Sequence, residues 1–339
     1  MQIFKKAFAI ALGITLAISI SGCENTRNQK SLQKIGVAEV THSVFYAPQY
    51  VAIEMGFFAD EGFEIDLIGA YGADKTMAAL LSQEAQIGFM GPEASVYVYA
   101  QGSKDYAISF AQVTKRDGTF LVSREPEPNF KFENLKGKEV IGGRKGGMPE
   151  MTLEYVLKNN DLILGENTNA GEVNVRTDIQ YAVMAGAFTG GEGDYVALFE
   201  PMASSVVKAG TGHIVSSIGA ESGEIPYTAY CTLESYMEEN PEVIQKFTNA
   251  IYKGQQYVKD HSAEDIAKVI NPQFPELEID ELVAVIQRYK DNDTWCDNPL
   301  LKEESLNRLM DVMELAGELK ARVPYDKVVT TKFANEAVK

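Results

Sequence analysis

Cysteine, tryptophan and histidine are scarce in this sequence of 339 residues, which contains three, one and three of them. The histidines, His42, His213 and His261, are widely separated and do not have the spacing of metal ligands. The sequence has no Gly-x-x-x-x-Gly-Lys-Ser/Thr phosphate loop and no Gly-x-Ser-x-Gly nucleophile elbow. It therefore predicts no metal site, no catalytic group and no cofactor.

Basic residues are also in deficit, because 31 Lys and Arg face 48 Asp and Glu and give a formal charge of −17. A surface of this charge repels nucleic acid, and no basic patch offsets it. The total charge does not decide the sign of a ligand, because the local field in a pocket overrides it. Nucleic acid is thus excluded as a partner, while small molecules of either sign remain possible.

Long apolar runs are absent except at the N-terminus, where Lys5 and Lys6 precede the run 7–20. This pattern predicts a signal peptide over residues 1–22, since the run is shorter than a membrane span of about 20 residues. The segment "ISGC" that ends at Cys23 resembles the bacterial lipoprotein box, which implies cleavage before Cys23 and lipid on its thiol. We then expect residues 23–33 to be a tether at the outer face of the bacterial cell membrane. The alternative is a secreted protein in which Cys23 is incidental.

The two other cysteines, Cys231 and Cys296, have two possible states. They could form one disulfide in an oxidising compartment, or both could be buried free thiols. The sequence does not distinguish these states.

Strands and helices alternate along the rest of the chain, which predicts an α/β fold. The predicted strands are 34–40, 63–69, 85–91, 106–113, 119–124, 138–143, 172–178, 194–199, 213–218 and 226–235. The predicted helices are 48–58, 73–84, 92–102, 148–160, 179–187, 200–210, 240–260, 263–270, 278–291 and 301–320. The final segment "TKFANEAVK" is interpreted as a tail.

The chain is longer than one core usually is, so we expect two lobes. Chain order places 34–118 and 230–339 in lobe one and 119–229 in lobe two. The strands near 118–124 and 224–230 would then carry a hinge, with a cleft between the lobes.

Four loops follow strands at the edge where open α/β sheets bind ligands. They are "THSVFYAPQ", "FMGPEAS", "GGRKGGMPE" and "LFEPMAS", and each leads into a helix whose first N–H groups are unpaired. If the lobes face each other, these loops meet in one cleft. The candidate ligand-binding residues are His42, Phe45, Tyr46, Met90, Gly91, Glu93, Gly146, Gly147, Met148, Glu200 and Tyr227.

Each candidate also has a purely structural interpretation. Phe45 could be a core residue, and Glu93 could serve only to favour the N-terminus of its helix. Glu200 could pair with Arg144 or help to close the lobes. Trp295 is interpreted as a packing or cleft-rim residue rather than a stacking platform.

Several segments resemble one family. "APQYVAIEMGFFADEGFEIDL", "GADKTMAALLSQEAQIGFMGPEA", "DYVALFEPMAS", "ENPEVIQKFTNAIYKGQQYV" and "AGELKARVPYDKVVT" are similar to solute-binding proteins of bacterial ABC importers. The branch is the nitrate, sulfonate, taurine and thiamine-pyrimidine-precursor group (SsuA/Thi-like), and the resemblance covers most of residues 35–335. It implies a type II periplasmic-binding-protein fold, with parallel-rich mixed sheets, a hinge and a central cleft. It also implies a monomer that delivers its ligand to a permease and an ATPase.

The loop residues favour one ligand class within that group. A sulfonate or nitrate needs N–H donors and arginine, whereas a pyrimidine needs aromatic faces and a carboxylate. An unpaired carboxylate such as Glu93 would repel an anion by about 1–4 kcal/mol near 4 Å. We therefore expect an aminopyrimidine thiamine precursor, although Arg144 and Lys145 could serve an anion instead.

An enzymatic alternative also belongs to this resemblance, because the eukaryotic thiamine pyrimidine synthase is similar in fold. That enzyme consumes one of its own histidines and uses an iron-dependent, cysteine-rich motif. His42 would be the equivalent histidine to examine, but this sequence has no cysteine cluster. We therefore expect a transport binding protein and not an enzyme.

Overall fold

The computed structural model describes residues 31–339. The predicted signal peptide, the lipidation site Cys23 and most of the tether lie outside these residues. Within the described part, ten strands alternate with fifteen α-helices and five short 3-10 turns.

The strands are β1 (Gln33–Glu39), β2 (Phe63–Gly69), β3 (Ile87–Met90), β4 (Ala107–Thr114), β5 (Thr119–Ser123), β6 (Glu139–Ile141), β7 (Asn174–Arg176), β8 (Tyr195–Phe199), β9 (His213–Ser217) and β10 (Thr228–Leu233). The helices are α1 (Ala47–Glu54), α2 (Phe57–Asp60), α3 (Ala73–Leu81), α4 (Glu93–Ala100), α5 (Met148–Asn159), α6 (Met184–Thr189), α7 (Met202–Lys208), α8 (Ile218–Ser222), α9 (Glu234–Glu239), α10 (Pro241–Asp260), α11 (Ala263–Ile270), α12 (Ile279–Asp291), α13 (Glu303–Leu315), α14 (Tyr325–Val328) and α15 (Lys332–Ala337).

The strands form two five-stranded mixed sheets. The first has the order β2-β1-β3-β10-β4, in which β1 runs parallel to β2 and β3 while β10 runs antiparallel to β3 and β4. The second has the order β7-β6-β8-β5-β9, in which β6 runs parallel to β7 and β8 while β5 runs antiparallel to β8 and β9. Helices connect the parallel strands, as βα units require.

Two segments join the sheets, namely residues 115–118 between β4 and β5 and residues 218–227 between β9 and β10. They run side by side, since the Ile225 N–H donates to the Lys115 carbonyl at 2.9 Å and the Tyr227 N–H donates to the Thr114 carbonyl at 3.1 Å. We call these segments the crossing segments. The chain passes between the two halves only here within the described residues.

The C-terminal helices complete the first half. Helix α10 buries Ile244, Phe247 and Ile251, which lie on one face at the spacing of helical turns, and it packs on α1. On the first sheet, the rings of Phe89 and Tyr230 stack with centroids 4.2 Å apart. The ring of Tyr46, in the loop between β1 and α1, packs on the same Phe89 with centroids 4.3 Å apart, which holds this loop against the sheet.

The helices α8, α9 and α14 were not predicted, and two further differences from the sequence prediction have a clear cause. The single helix predicted over 48–58 is divided, because Gly56 adopts a left-handed conformation with φ 75° between α1 and α2. The predicted tail contains α15, whose Phe333 and Ala334 are buried. A hydrophobic pattern of only two residues was too short to predict this helix.

Candidate functional site

A cavity of about 100 Å³, the volume open to the centre of a water molecule, lies between the loops of the two sheets. A single water needs about 10–15 Å³ on this measure, so the cavity has room for a small molecule. It is lined by Val40, Thr41, Tyr46, Tyr71, Gly72, Ala73, Gly91, Glu93, Gly142, Gly143, Arg144, Gly147, Met148, Pro149, Tyr181, Met184, Ala197, Phe199, Tyr227 and Thr228. Both halves of the chain therefore contribute to it.

Six of the eleven candidate residues line this cavity. They are Tyr46, Gly91, Glu93, Gly147, Met148 and Tyr227. The other five lie outside the lining, and each has a structural contact that accounts for its position.

His42 supports the loop before α1 and does not line the cavity. Its Nδ1 lies 2.9 Å from Glu39 Oε1, and its Nε2 lies 2.8 Å from the carbonyl of Gln273. Burial alone would lower the pKa of His42, but the hydrogen bonds to Glu39 and Gln273 raise it above its usual value. Both ring nitrogens face acceptors, so the geometry suits the imidazolium form.

Phe45 and Met90 are core residues. The Phe45 ring is fully buried and packs 5.3 Å from the Phe199 ring and 5.5 Å from the Tyr289 ring. Met90 is buried with Leu80 on the opposite side of the first sheet. The structural interpretation of Phe45 therefore applies, because its ring fills the space beneath the crossing segments.

Gly146 shapes the glycine-rich loop from outside the cavity. Its φ is +72°, its N–H donates to Glu150 Oε2 at 3.0 Å, and its carbonyl accepts from the Tyr97 hydroxyl at 3.1 Å. An L side chain rarely adopts this backbone conformation, so glycine is favoured here. Gly147 and Met148, which follow it, reach the cavity wall.

Glu200 is buried in an ion pair with Arg288. Its carboxylate also accepts hydrogen bonds from the Ser204 N–H at 2.9 Å and the Ser204 hydroxyl at 3.0 Å. Of the two structural interpretations of Glu200, pairing with Arg144 is wrong, because α12 places Arg288 against this loop. Arg144 instead lies with its Nε 3.6 Å from Asp74 Oδ1.

Glu93 is the only carboxylate among the lining residues. It begins α4, is 2% exposed, and its Oε2 has no hydrogen-bond donor among residues 31–339. Burial raises the pKa of Glu93 to about 7, and its own backbone N–H and the charge of Arg144 offset this only in part. Glu93 thus supplies a hydrogen-bond acceptor to the cavity wall.

Gly91 determines where the Glu93 carboxylate can lie. A Cβ atom added at Gly91 would be 1.9 Å from Glu93 Oε2 and 2.8 Å from Met148 Cγ. Any side chain at this position would therefore displace both the carboxylate and the facing loop of the second half. This close approach is the physical reason for glycine at the end of β3.

Aromatic rings form much of the remaining wall. Tyr46 packs 4.3 Å from the Phe89 ring, and Tyr181 contacts Phe199 edge to face at 5.8 Å. Tyr71, which is 59% exposed, lies at the rim. Tyr71, Tyr181 and Phe199 were not among the predicted residues, although Tyr71 and Phe199 lie at carboxyl ends of strands, where ligands are expected.

Tyr227 lies beside a second buried carboxyl, on Asp117 in the other crossing segment. Asp117 Oδ1 accepts from the Thr119 N–H and hydroxyl, both at 2.6 Å. Asp117 Oδ2 and the Tyr227 hydroxyl have no hydrogen-bond partner within the described chain. Burial raises the pKa of Tyr227, and the neighbouring Asp117 carboxyl raises it further. Tyr227 in turn lowers the pKa of Asp117, although burial outweighs this effect. Burial raises the pKa of Asp117 to about 7.

Metal-ligand clusters, the cysteines and long apolar helices were the remaining features to locate in the described residues. Residues 31–339 contain no group of three or more His, Cys, Asp or Glu side chains placed to hold a metal ion. Cys231 and Cys296 are separate buried free thiols. In this part of the chain, no helix is both long and apolar enough to cross a bilayer.

Two mixed sheets with a cavity between them define the periplasmic-binding-protein fold, which solved structures share. The Escherichia coli aliphatic sulphonate-binding protein SsuA has a TM-score of 0.66 at 15% identity, over 91% of this chain and 100% of that chain. The nitrate-binding protein NrtA from Synechocystis PCC 6803 has a TM-score of 0.69 at 15% identity, over 91% and 88%. The ligand-binding component of an ABC-type import system from Staphylococcus aureus, solved with zinc bound, has a TM-score of 0.72 at 13% identity, over 90% and 99%.

The chain belongs to the NMT1/THI5-like family, whose model matches residues 44–265. It is also similar to a Bacillus subtilis (strain 168) protein named "Putative binding protein YtlA". The two are 44% identical over 329 residues, which is 97% of this chain and 96% of that protein. The family predicted from the sequence is thus confirmed, as is the fold class.

Proposed function

We propose that this protein is the solute-binding component of an ABC importer and captures a small ligand between two closing lobes. The lobes are residues 34–118 with 230–339, and residues 119–229. The cavity between the two sheets supports this function, because loops of both halves line it. The binding-protein names of the similar proteins agree with it.

The ligand we propose is an aminopyrimidine of the thiamine-precursor type. The carboxylate of Glu93 carries this proposal, because its Oε2 is buried in the cavity wall without a donor. A ring amine or protonated ring nitrogen would supply that donor, and a hydrogen bond to a charged group contributes about 1.5–3 kcal/mol. The rings of Tyr46, Tyr181 and Phe199 offer aromatic faces to the same ligand.

A second candidate is a sulfonate, taurine or nitrate ligand in the same transport role. The names of the solved structures favour it, since two of them are described as binding a sulphonate and nitrate. Arg144 is the one basic residue among the lining residues and would be the anion contact. The buried carboxylate of Glu93 opposes this candidate.

The pyrimidine-synthase alternative has weaker support. It would need His42 at the reaction site, but the imidazole contacts Glu39 and Gln273 outside the cavity lining. A transport binding protein needs no catalytic group. We therefore propose a binding function without catalysis.

Calorimetric titration of residues 24–339 tests the ligand. We expect submicromolar binding of hydroxymethyl- or formylamino-pyrimidine and weaker binding of taurine, ethanesulfonate and nitrate. Glu93→Gln should weaken pyrimidine binding about tenfold or more, because it removes the charged acceptor. Glu234→Gln is the matched control, since Glu234 also lies in the first turn of a helix but outside the cavity. Tighter binding of an anion would replace this proposal with the second candidate.

We also propose that the protein is exported and anchored by lipid on Cys23, with a permease and an ATPase as partners. Cys23 lies outside the described residues, so the proposal depends on the N-terminal sequence pattern. Mass spectrometry of the membrane fraction should find a lipid-modified N-terminal Cys23, and Cys23→Ser should release the protein from membranes. An unmodified chain that begins at another residue would contradict the anchor but not the binding function.

A further inference from the structure

The one basic residue in the cavity wall already has a carboxylate partner. Arg144 Nε lies 3.6 Å from Asp74 Oδ1, and Arg144 Nη1 donates to the Lys145 carbonyl at 3.2 Å. Asp74 lies in the first turn of α3 in the first half, whereas Arg144 follows β6 in the second half. The pair therefore spans the two sides of the cavity, and both side chains are about half exposed.

The position of Asp74 is set by the loop before α3. A Cβ atom added at Gly72 would be only 2.7 Å from Asp74 Oδ1, so the carboxylate lies directly over the Gly72 backbone. Gly72 and Ala73 line the cavity, while Asp74 itself does not. Asp74 thus lies next to the cavity wall and contacts Arg144, one of its lining residues.

Arg144 does not donate a hydrogen bond to Glu93 Oε2 in the cavity. Both residues line the same cavity, yet no donor reaches Glu93 Oε2 from any described residue. The charge of Arg144 offsets only part of the effect of burial on the Glu93 carboxyl. With Arg144 paired to Asp74, Glu93 is the carboxyl of the wall whose Oε2 is left without a donor from the described residues.

We propose that Asp74 is a specificity-determining residue, which excludes anionic ligands by pairing with Arg144 at the cavity wall. This inference rests on the proposed function, in which the cavity is the ligand site. Without the Asp74 charge, the guanidinium of Arg144 is free to bind a sulfonate by donating charge-assisted hydrogen bonds to its oxygens. The cavity then discriminates less against anionic ligands, although no residue in direct contact with the ligand has been replaced.

Asp74→Asn tests this proposal with ethanesulfonate and hydroxymethyl-aminopyrimidine as probes in calorimetric titrations. We expect the affinity for ethanesulfonate to rise about tenfold or more, and the affinity for the pyrimidine to stay equal or fall. Asp74→Glu should keep the preference of the unmodified protein. The gain in ethanesulfonate affinity of Asp74→Asn should shrink at about 1 M salt, because salt screens the charge of Arg144. Adding Arg144→Gln to Asp74→Asn should abolish the gain.

Glu281→Gln is the matched control, because Glu281 pairs with Lys208 across the same two halves but outside the cavity. It should leave the ratio of the two affinities unchanged. Equal weakening of both probes in Asp74→Asn would show that the pair only holds the halves together, and would overturn the proposal. Failure of the variant to bind ethanesulfonate would overturn it too. Tighter binding of ethanesulfonate than of the pyrimidine by the unmodified protein would instead overturn the proposed ligand class.

Discussion

At the scale of single residues, the Glu93 carboxylate lines the cavity although its burial is unfavourable for the charged form. Its carboxylate is buried above Gly91, where the charged form loses hydration and gains no donor for Oε2 from the described chain. Such a group persists in a folded protein when the surrounding structure tolerates the penalty. A ligand that donates to Oε2 would remove part of it.

The penalty predicts a pH-dependent effect of Glu93→Gln on stability. The pKa of Glu93 rises from 4.5 to about 7 on folding, so the folded state holds the proton more tightly. The carboxyl therefore contributes stability below pH 4.5, and this contribution is lost as the pH rises to about 7. We expect the variant to gain about 3 kcal/mol in unfolding free energy at pH 8 and less than about 1 kcal/mol at pH 5. Urea denaturation of ligand-free protein at both values checks this, and an equal gain at both would contradict it.

At the same scale, the sequence indicated six lining residues, five of them because they lie where strands end and helices begin, whereas Tyr227 directly precedes β10. It could not separate Glu93 from Glu200, since each lies in such a loop beside a proline. The difference comes from α12, which supplies Arg288 to Glu200 and nothing to Glu93. That contact depends on tertiary packing, which local sequence does not encode.

At the scale of elements, close approaches of helices decide which glycines are required. Gly254 in α10 faces α1, and a Cβ atom there would be 2.3 Å from the Pro48 carbonyl oxygen. Gly186 in α6 is exposed, and a Cβ atom there would meet nothing within 4 Å. Helical periodicity predicted α10 well but could not show which of its residues touches another backbone.

The two glycines predict opposite effects of the same substitution. Gly254→Ala should destabilise the protein by about 1–3 kcal/mol, because α1 and α10 must move apart. Gly186→Ala should stabilise it by about 0.5–1 kcal/mol, because alanine restricts the unfolded chain and fits the helix. Thermal and urea unfolding of both variants check the signs. A stabilising Gly254→Ala would show that α1 and α10 adjust without strain.

At the scale of the whole molecule, the two halves meet through buried polar contacts as well as the crossing segments. The Ser43 hydroxyl donates to the Glu200 carbonyl at 2.8 Å, and the Tyr289 hydroxyl accepts from the Glu200 N–H at 3.0 Å. Alternating strands and helices were sufficient to predict two α/β units. These contacts join residues far apart in the chain, so no pattern in the sequence indicated them.

The ion pair of Glu200 with Arg288 should therefore contribute to the stability of the whole molecule. Arg288→Met leaves a fully buried carboxylate without its cation, and we expect a loss of about 2–3 kcal/mol, since Arg288 is about a third exposed. Lys208→Met removes an exposed cation whose partner, Glu281, lies on α12 as Arg288 does, and should change stability much less than Arg288→Met does. Denaturation midpoints of both variants check the contrast. Equal losses would mean that burial of Glu200 does not matter.

The single tryptophan, Trp295, gives the molecule an optical reporter. Its indole N–H donates to the Phe45 carbonyl at 2.8 Å, and the residue forms a β-bridge with Thr114, where the first crossing segment begins. The indole is 7% exposed and lies 5.8 Å from the Tyr289 ring. Tryptophan fluorescence therefore reports the junction between the halves, and we expect its emission to change in intensity or wavelength on the ligand-driven closure that we propose. Stopped-flow traces on unlabelled protein would then give the rate of closure directly.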